Sequence, residues 1–178
     1  MDIQHKIYEI FPGVNWISLN KTKYNRIRFY FDDIESGILN LSNEILKYIF
    51  NNNEVYCCFM LFNNKNSLNE RILESLNKRN LNQIIETNEV NSFKINNNYC
   101  LQFFSEVSIN DIKNINKAIV EEDFWIEPEL SLRCYYFNFN KKVCIHLYND
   151  RWMDIIGCMK ELKKIQEKFL NKIQINFE

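Results

Sequence analysis

Two strand-like apolar stretches, Arg133-Cys-Tyr-Tyr-Phe137 and Val143-Cys-Ile-His-Leu-Tyr148, joined by five positions of which four are polar (Asn138, Asn140, Lys141 and Lys142), constrain this chain more than any other feature. Each stretch has strand length, and the short connection makes them an antiparallel hairpin. Leu132, Cys134 and Tyr136 then face one side of a sheet, and Arg133, Tyr135 and Phe137 the other. Val143, Ile145 and Leu147 alternate with Cys144, His146 and Tyr148 in the same way. Asn149-Asp-Arg-Trp-Met-Asp154 follows at once and reads as a polar loop of mixed charge at the strand end. Such ends are where small domains often carry function.

Other segments supply the rest of a mixed fold. Arg26-Ile-Arg-Phe-Tyr-Phe31 alternates as a strand, and Asp32-Asp-Ile-Glu-Ser-Gly37 reads as a loop. Leu41, Ile45, Leu46, Ile49 and Phe50 share one face at helical spacing, with Asn40 or Ser42 as cap and Asn51-Asn-Asn as stop. Val55–Phe62 is continuously apolar, as expected of a central strand buried on both faces. Ser67 with Glu70, and Ser108 with Asp111, have capping-box spacing. The first opens a helix with Leu68, Ile72 and Leu76 on one side. The second opens one with Ile109, Ile112 and Ile119 inward. Tyr99–Phe104 is a further strand. Leu162, Ile165, Phe169 and Ile173 form the stripe of a last helix. Residues 1–37 are the least regular part, with Phe11-Pro-Gly-Val as a turn. The expectation is α+β: one domain over residues 1–178, a mixed or antiparallel central sheet packed against helices, and a C-terminal hairpin followed by a final helix.

Composition narrows the function classes. Hydrophobic residues at 46% indicate a packed core. Twenty-two basic against 23 acidic residues give no basic excess, so general nucleic-acid binding is not expected. No stretch approaches the ~20 apolar residues of a membrane span, and the first residues lack a signal-peptide core; a cytoplasmic protein is expected. Six cysteines in mostly apolar runs fit buried thiols and not a disulfide framework. With only three glycines, asparagine is expected to supply turns.

Little catalytic equipment is legible. No cysteine pair has zinc-ligand spacing, so no metal site is expected. Cys144 and His146 share a face but lack a third orienting group. Gly13, Gly37 and Gly157 are isolated, which removes glycine-rich phosphate loops and leaves no cofactor to expect. Two carboxylate clusters stand out: Asp32, Asp33 and Glu35, and Glu121, Glu122, Asp123, Glu127 and Glu129. The second has no Lys or Arg between Glu121 and Glu129 and reads as an acidic connection. Charge runs are commonly solvated surface. As function they fit a protein interface, since acidic patches steer basic partners, and Trp125 among them could serve as an anchor. Lys160, Lys163, Lys164 and Lys168 are interrupted by Glu161 and Glu167, which reads as a solvated helix face.

Tyr148-Asn-Asp-Arg-Trp-Met-Asp154 resembles the signature of a bacterial domain-of-unknown-function family, Tyr-Asp-Asp-Arg-Gly-Met-Asp after a hairpin. Ile27-Arg-Phe29 is similar to that family's early Arg-Phe segment. The matching signature positions are Tyr148, Asp150, Arg151, Met153 and Asp154. Asn149 replaces an acid and Trp152 a glycine, a change that would strain the chain if the position needs a positive φ. Asp150, Arg151 and Asp154 would form a self-satisfying ion network holding the hairpin end against the last helix. By analogy, such small families are similar in kind to immunity proteins of bacterial toxin systems. The resulting expectation is a non-catalytic inhibitor that occludes a cognate, basic toxin domain such as a nuclease, with a homodimer left open. The rivals are an acid-base enzyme using Asp150, Asp154 and His146, and a nucleic-acid-binding regulator using the C-terminal lysines.

Overall fold

The computed structural model describes residues 3–14, 23–31, 35–51, 55–63, 91–95, 98–123, 132–148, 152–170 and 174–177. Along the chain these form α1 (Ile3–Ile10), β1 (Asn25–Tyr30), α2 (Glu35–Phe50), β2 (Val55–Asn63), β3 (Asn91–Ile95), β4 (Asn98–Val107) and α3 (Ile109–Asp123). Then come β5 (Leu132–Asn138), β6 (Val143–Leu147), β7 (Trp152–Gly157), α4 (Met159–Phe169) and β8 (Gln174–Phe177). The strands make one eight-stranded sheet in the order β3-β4-β2-β5-β6-β7-β1-β8. Every pairing is antiparallel. The architecture is α+β, and the open choice between mixed and antiparallel resolves to antiparallel.

Strand alternation sorts side chains into two cores. Phe29, Cys57, Phe59, Leu61, Phe103, Tyr136, Ile145, Met153 and Ile155 face the side covered by α2, α3 and α4. Cys58, Met60, Tyr135, Phe137, Cys144 and Ile156 face the other side, where Ile7, Phe11 and Val14 from α1 and its following turn cover them. β2 is therefore buried on both faces, as its continuous apolar run requires. The hairpin faces also agree with the sequence reading.

Local chemistry explains several element ends. At the start of α3 the Ser108 amide and hydroxyl donate to Asp111 Oδ2 (3.0 and 2.6 Å), and the Asp111 amide donates back to Ser108 Oγ (3.3 Å). The box satisfies backbone donors that a helix start leaves open. Asn51 ends α2 with φ 46°, where a glycine would otherwise serve. The β5–β6 turn docks on that same helix end: Asn138 Nδ2 and Lys141 Nζ donate to the Ile49 carbonyl at 2.9 and 2.7 Å. A cation there also complements the helix dipole.

Several elements differ from the sequence reading. The N-terminal stretch carries α1, with Ile7 fully buried. α2 begins at Glu35 and not at Asn40 or Ser42, so Glu35–Gly37 is helical; the Ser42 hydroxyl donates back to the Leu39 carbonyl at 3.2 Å and caps nothing. α3 continues to Asp123, so Glu121, Glu122 and Asp123 end a helix instead of starting a loop. The supposed polar loop shortens, because Trp152–Gly157 is β7. The last helix is followed by β8, which adds to the edge of the sheet beside β1. Ile173 and the helix expected to open at Ser67 and Glu70 lie outside the described residues.

Candidate functional site

Chain connectivity gives the sheet two distinct ends. Val55 opposes Val107, so the start of β2 and the end of β4 lie at one end. The C-terminus of α2 is four residues from β2, and the N-terminus of α3 directly follows β4. The two helices also touch, the Asn116 amide donating to Asn43 Oδ1 at 2.8 Å. They are therefore antiparallel, and about 22 Å of helix carries Glu35 and Glu121–Asp123 toward the opposite end. Tyr30, Leu132, Tyr148 and Trp152 mark that opposite end, since Trp152 pairs with Tyr30 and Leu132 with Leu61.

The described residues that bracket every candidate segment thus gather at one end. Phe31 and Glu35 bracket Asp32 and Asp33. Asp123 and Leu132 bracket Trp125, Glu127 and Glu129. Tyr148 and Trp152 bracket Asp150 and Arg151. Those bracketed residues themselves lie outside the described ones, as do the side chains of Glu35, Glu121, Glu122 and Asp123.

On the sheet face away from α2, α3 and α4, a lateral row crosses four strands: Tyr135 opposes His146, His146 opposes Asp154, and Asp154 opposes Arg28. Asp154 is fully buried in β7. Arg28 Nε and Nη2 donate to its two oxygens, each at 2.7 Å, and Arg26 Nη1 donates to Oδ2 at 3.2 Å. This two-pronged clamp joins β1 to β7. Hydrogen bonding to Asp154 raises the Arg28 pKa further above its ordinary value. The anticipated partners Asp150 and Arg151 lie outside the described residues, and the described partners of Asp154 come from β1 instead. The clamp is made within the sheet and not against α4. Arg28 of the early Ile27-Arg-Phe29 segment and Asp154 of the late signature are direct cross-strand partners.

His146 is 1% exposed, and neither ring nitrogen has a hydrogen-bond partner among the described residues. Its ring lies against Tyr135 (centroids 4.2 Å, stacked) and Tyr148 (3.9 Å, tilted). Burial, with Arg133 and Arg28 nearby, holds the imidazole well below its ordinary pKa, hence neutral at pH 7. The Tyr148 phenol is pushed up to about 12, chiefly by burial and then by the Asp154 charge. Arg28 lies 5.7 Å from the Tyr148 ring and 5.4 Å from the Trp152 ring. Burial also pushes the Cys144 thiol well above its ordinary value, so it is no activated nucleophile. Trp152 takes the place of a glycine without strain: among described non-glycine residues, positive φ occurs at Asn51 and Lys142.

Met153 is buried in the core beneath α4. Among the described residues no group of three His, Cys, Asp or Glu could hold a metal ion, and no helix is long and apolar enough to cross a membrane. Sequence reasoning missed Arg26, Arg28 and Arg133 as site residues; two arginines spaced two apart in an alternating strand were the available signal for the first two.

A family model described as a domain of unknown function (DUF3885) matches residues 5–173. No curated protein matches the chain.

Proposed function

We propose that this chain, which belongs to the DUF3885 family of domains of unknown function, is an immunity protein, binding and neutralising a cognate bacterial toxin domain in the cytoplasm. The observation that carries this reading is the convergence at one end of the sheet. Glu35 at the start of α2 and Glu121–Asp123 at the end of α3 are borne toward the same end by antiparallel helices. A chain with a net charge of only −1 attracts a basic partner through such local asymmetry and not through its total. Asp32, Asp33, Trp125, Glu127 and Glu129 belong to the connections entering that end and extend the proposed contact. The partner is a basic toxin domain, such as a nuclease, whose substrate groove the acidic end occludes.

The state of the strand-end groups favours binding over acid-base chemistry. Both oxygens of Asp154 are engaged by arginines, and His146 is enclosed by tyrosines. A general base needs a lone pair within reach of substrate. Co-expression with the neighbouring open reading frame tests the proposal. Rescue of growth by the parent chain, and its loss when Glu121, Glu122 and Asp123 are all changed to Lys, is the expected result. A harmless neighbour, or a harmful one that this chain does not relieve, refutes it.

A further inference from the structure

We infer that the groove between α2 and α3 binds a small polyhydroxylated anion, a sugar phosphate or a sugar acid, independently of the protein interface proposed above. The two antiparallel helices leave a cleft of about 300 Å³ between them, with buried Leu46 and Ile112 in its floor. Small-molecule sites span roughly 300–1,000 Å³, so the space suits a compact ligand. Exposed Asn40, Lys47, Asn110 and Lys113 stand around the cleft, which is therefore open to solvent.

The walls suit hydroxyl groups. Asn40 and Asn43 come from α2, and Asn110 from α3. Each carboxamide carries donors and an acceptor, the complement of a hydroxyl, which is also both. Asn43 is half-buried, and its orientation is set from within the core. Buried Tyr136 of β5 donates to Oδ1 of buried Asn116 at 2.6 Å, and Asn116 Nδ2 donates to Asn43 Oδ1 at 2.8 Å. The Asn43 oxygen is thereby turned to Asn116, which leaves the Nδ2 hydrogens for the cleft. A donor held by a buried relay gives up little freedom when a ligand arrives.

The charge balance selects an anion. Lys47 and Lys113 stand on opposite walls, against one lining acid, Glu44. Neither ammonium group has an ion-pair partner among the described residues. Asp111, the acid in the same turn of α3, already accepts from the Ser108 amide and hydroxyl. The first turns of α3 also bring the positive end of a 15-residue helix to the cleft. A net positive cleft with a fixed donor suits a ligand of negative charge.

Backbone amide resonances of the isotope-labelled full chain would be followed during titrations with glucose-6-phosphate, with gluconate and with uncharged glucose, at matched ionic strength. The expected result is a saturable shift around Asn43 and Lys113 with at least one of the two anions, and weaker binding of glucose. A response to one anion alone identifies the acidic group that the cleft accepts. Lys113→Gln should weaken binding about tenfold, the worth of one hydrogen bond to a charged group. Asn43→Asp keeps an oxygen for Asn116 but exchanges the donor for a negative charge, so it should weaken binding at least as much. Lys142→Gln, at an exposed lysine that does not line the cleft, should leave the affinity unchanged. Where Asn43→Asp does not fold, the exposed Lys113→Gln change carries the test. No saturable shift with either anion, glucose binding as tightly as both, or an undiminished affinity in Lys113→Gln overturns the inference. None of these readouts involves a toxin, so the outcome is separate from that of the proposed interface.

Discussion

Asp154→Asn is the sharpest probe of how this sheet holds together. The carboxylate is fully buried, and its two oxygens receive three arginine contacts, two of them at 2.7 Å. Removing one partner of a buried ion pair costs roughly 3–5 kcal/mol, because the remaining charge stays desolvated. Two features reduce that figure. The Arg26 and Arg28 side chains are 9% and 12% exposed and keep some access to water. Asparagine also retains one acceptor oxygen. A loss of about 3 kcal/mol follows, a large share of the ~5–15 kcal/mol that holds a typical domain. For a chain of this size it lowers Tm by roughly 6–12 °C. Urea unfolding of the parent, Asp154→Asn, Arg28→Met and the double variant would measure it. The midpoint should fall with little change in slope. The double variant should lose less than the two single changes summed, by at least about 1 kcal/mol. A single-variant loss under about 0.5 kcal/mol, the range of an ordinary surface change, would refute the clamp.

Three further outcomes are expected. Because burial and the flanking arginines depress the His146 pKa, the unfolded chain takes up a proton that the folded chain refuses; stability is full above about pH 6.5 and declines as pH falls below it, and His146→Gln should flatten that decline in chemical denaturation between pH 5 and 7.5. Gly157→Ala would set a Cβ 2.9 Å from the Lys142 carbonyl oxygen and 3.2 Å from Val143 Cγ2, so it should cost about 1–3 kcal/mol by the same assay. Tyr136→Phe removes the 2.6 Å hydrogen bond to buried Asn116, which in turn holds Asn43 of α2; a loss of about 1–2 kcal/mol is expected, and a stabilised variant would contradict the relay.

Elements whose signal is local were legible in the sequence. The hairpin showed in alternation, β2 in its unbroken apolar run, and α3 in the Ser108–Asp111 box. What escaped depends on partners distant in the chain. β7 reads as a loop because an aspartate is disfavoured inside a strand; it is tolerated at position 154 because β1 supplies two arginines 126 and 128 positions away. The early start of α2 was hidden by Asp32, Asp33 and Ser36, residues that suit turns. β8 is a four-residue edge strand, and Ile173 just before it extends the α4 stripe, so helix periodicity masked the change of element. The candidate residues were legible singly, but the gathering at one end of the described residues that bracket them was not. It follows from the antiparallel order of the strands and from short connections that fix which way α2 and α3 run.

The proposed interface is tested most directly by the affinity of the purified chain for the purified product of the neighbouring open reading frame, measured across a salt series. The expected result is tight binding that weakens as salt rises, and a loss of at least about tenfold when Glu121, Glu122 and Asp123 become Lys, about 1.4 kcal/mol. Unchanged affinity in that folded charge-reversed variant would contradict the account.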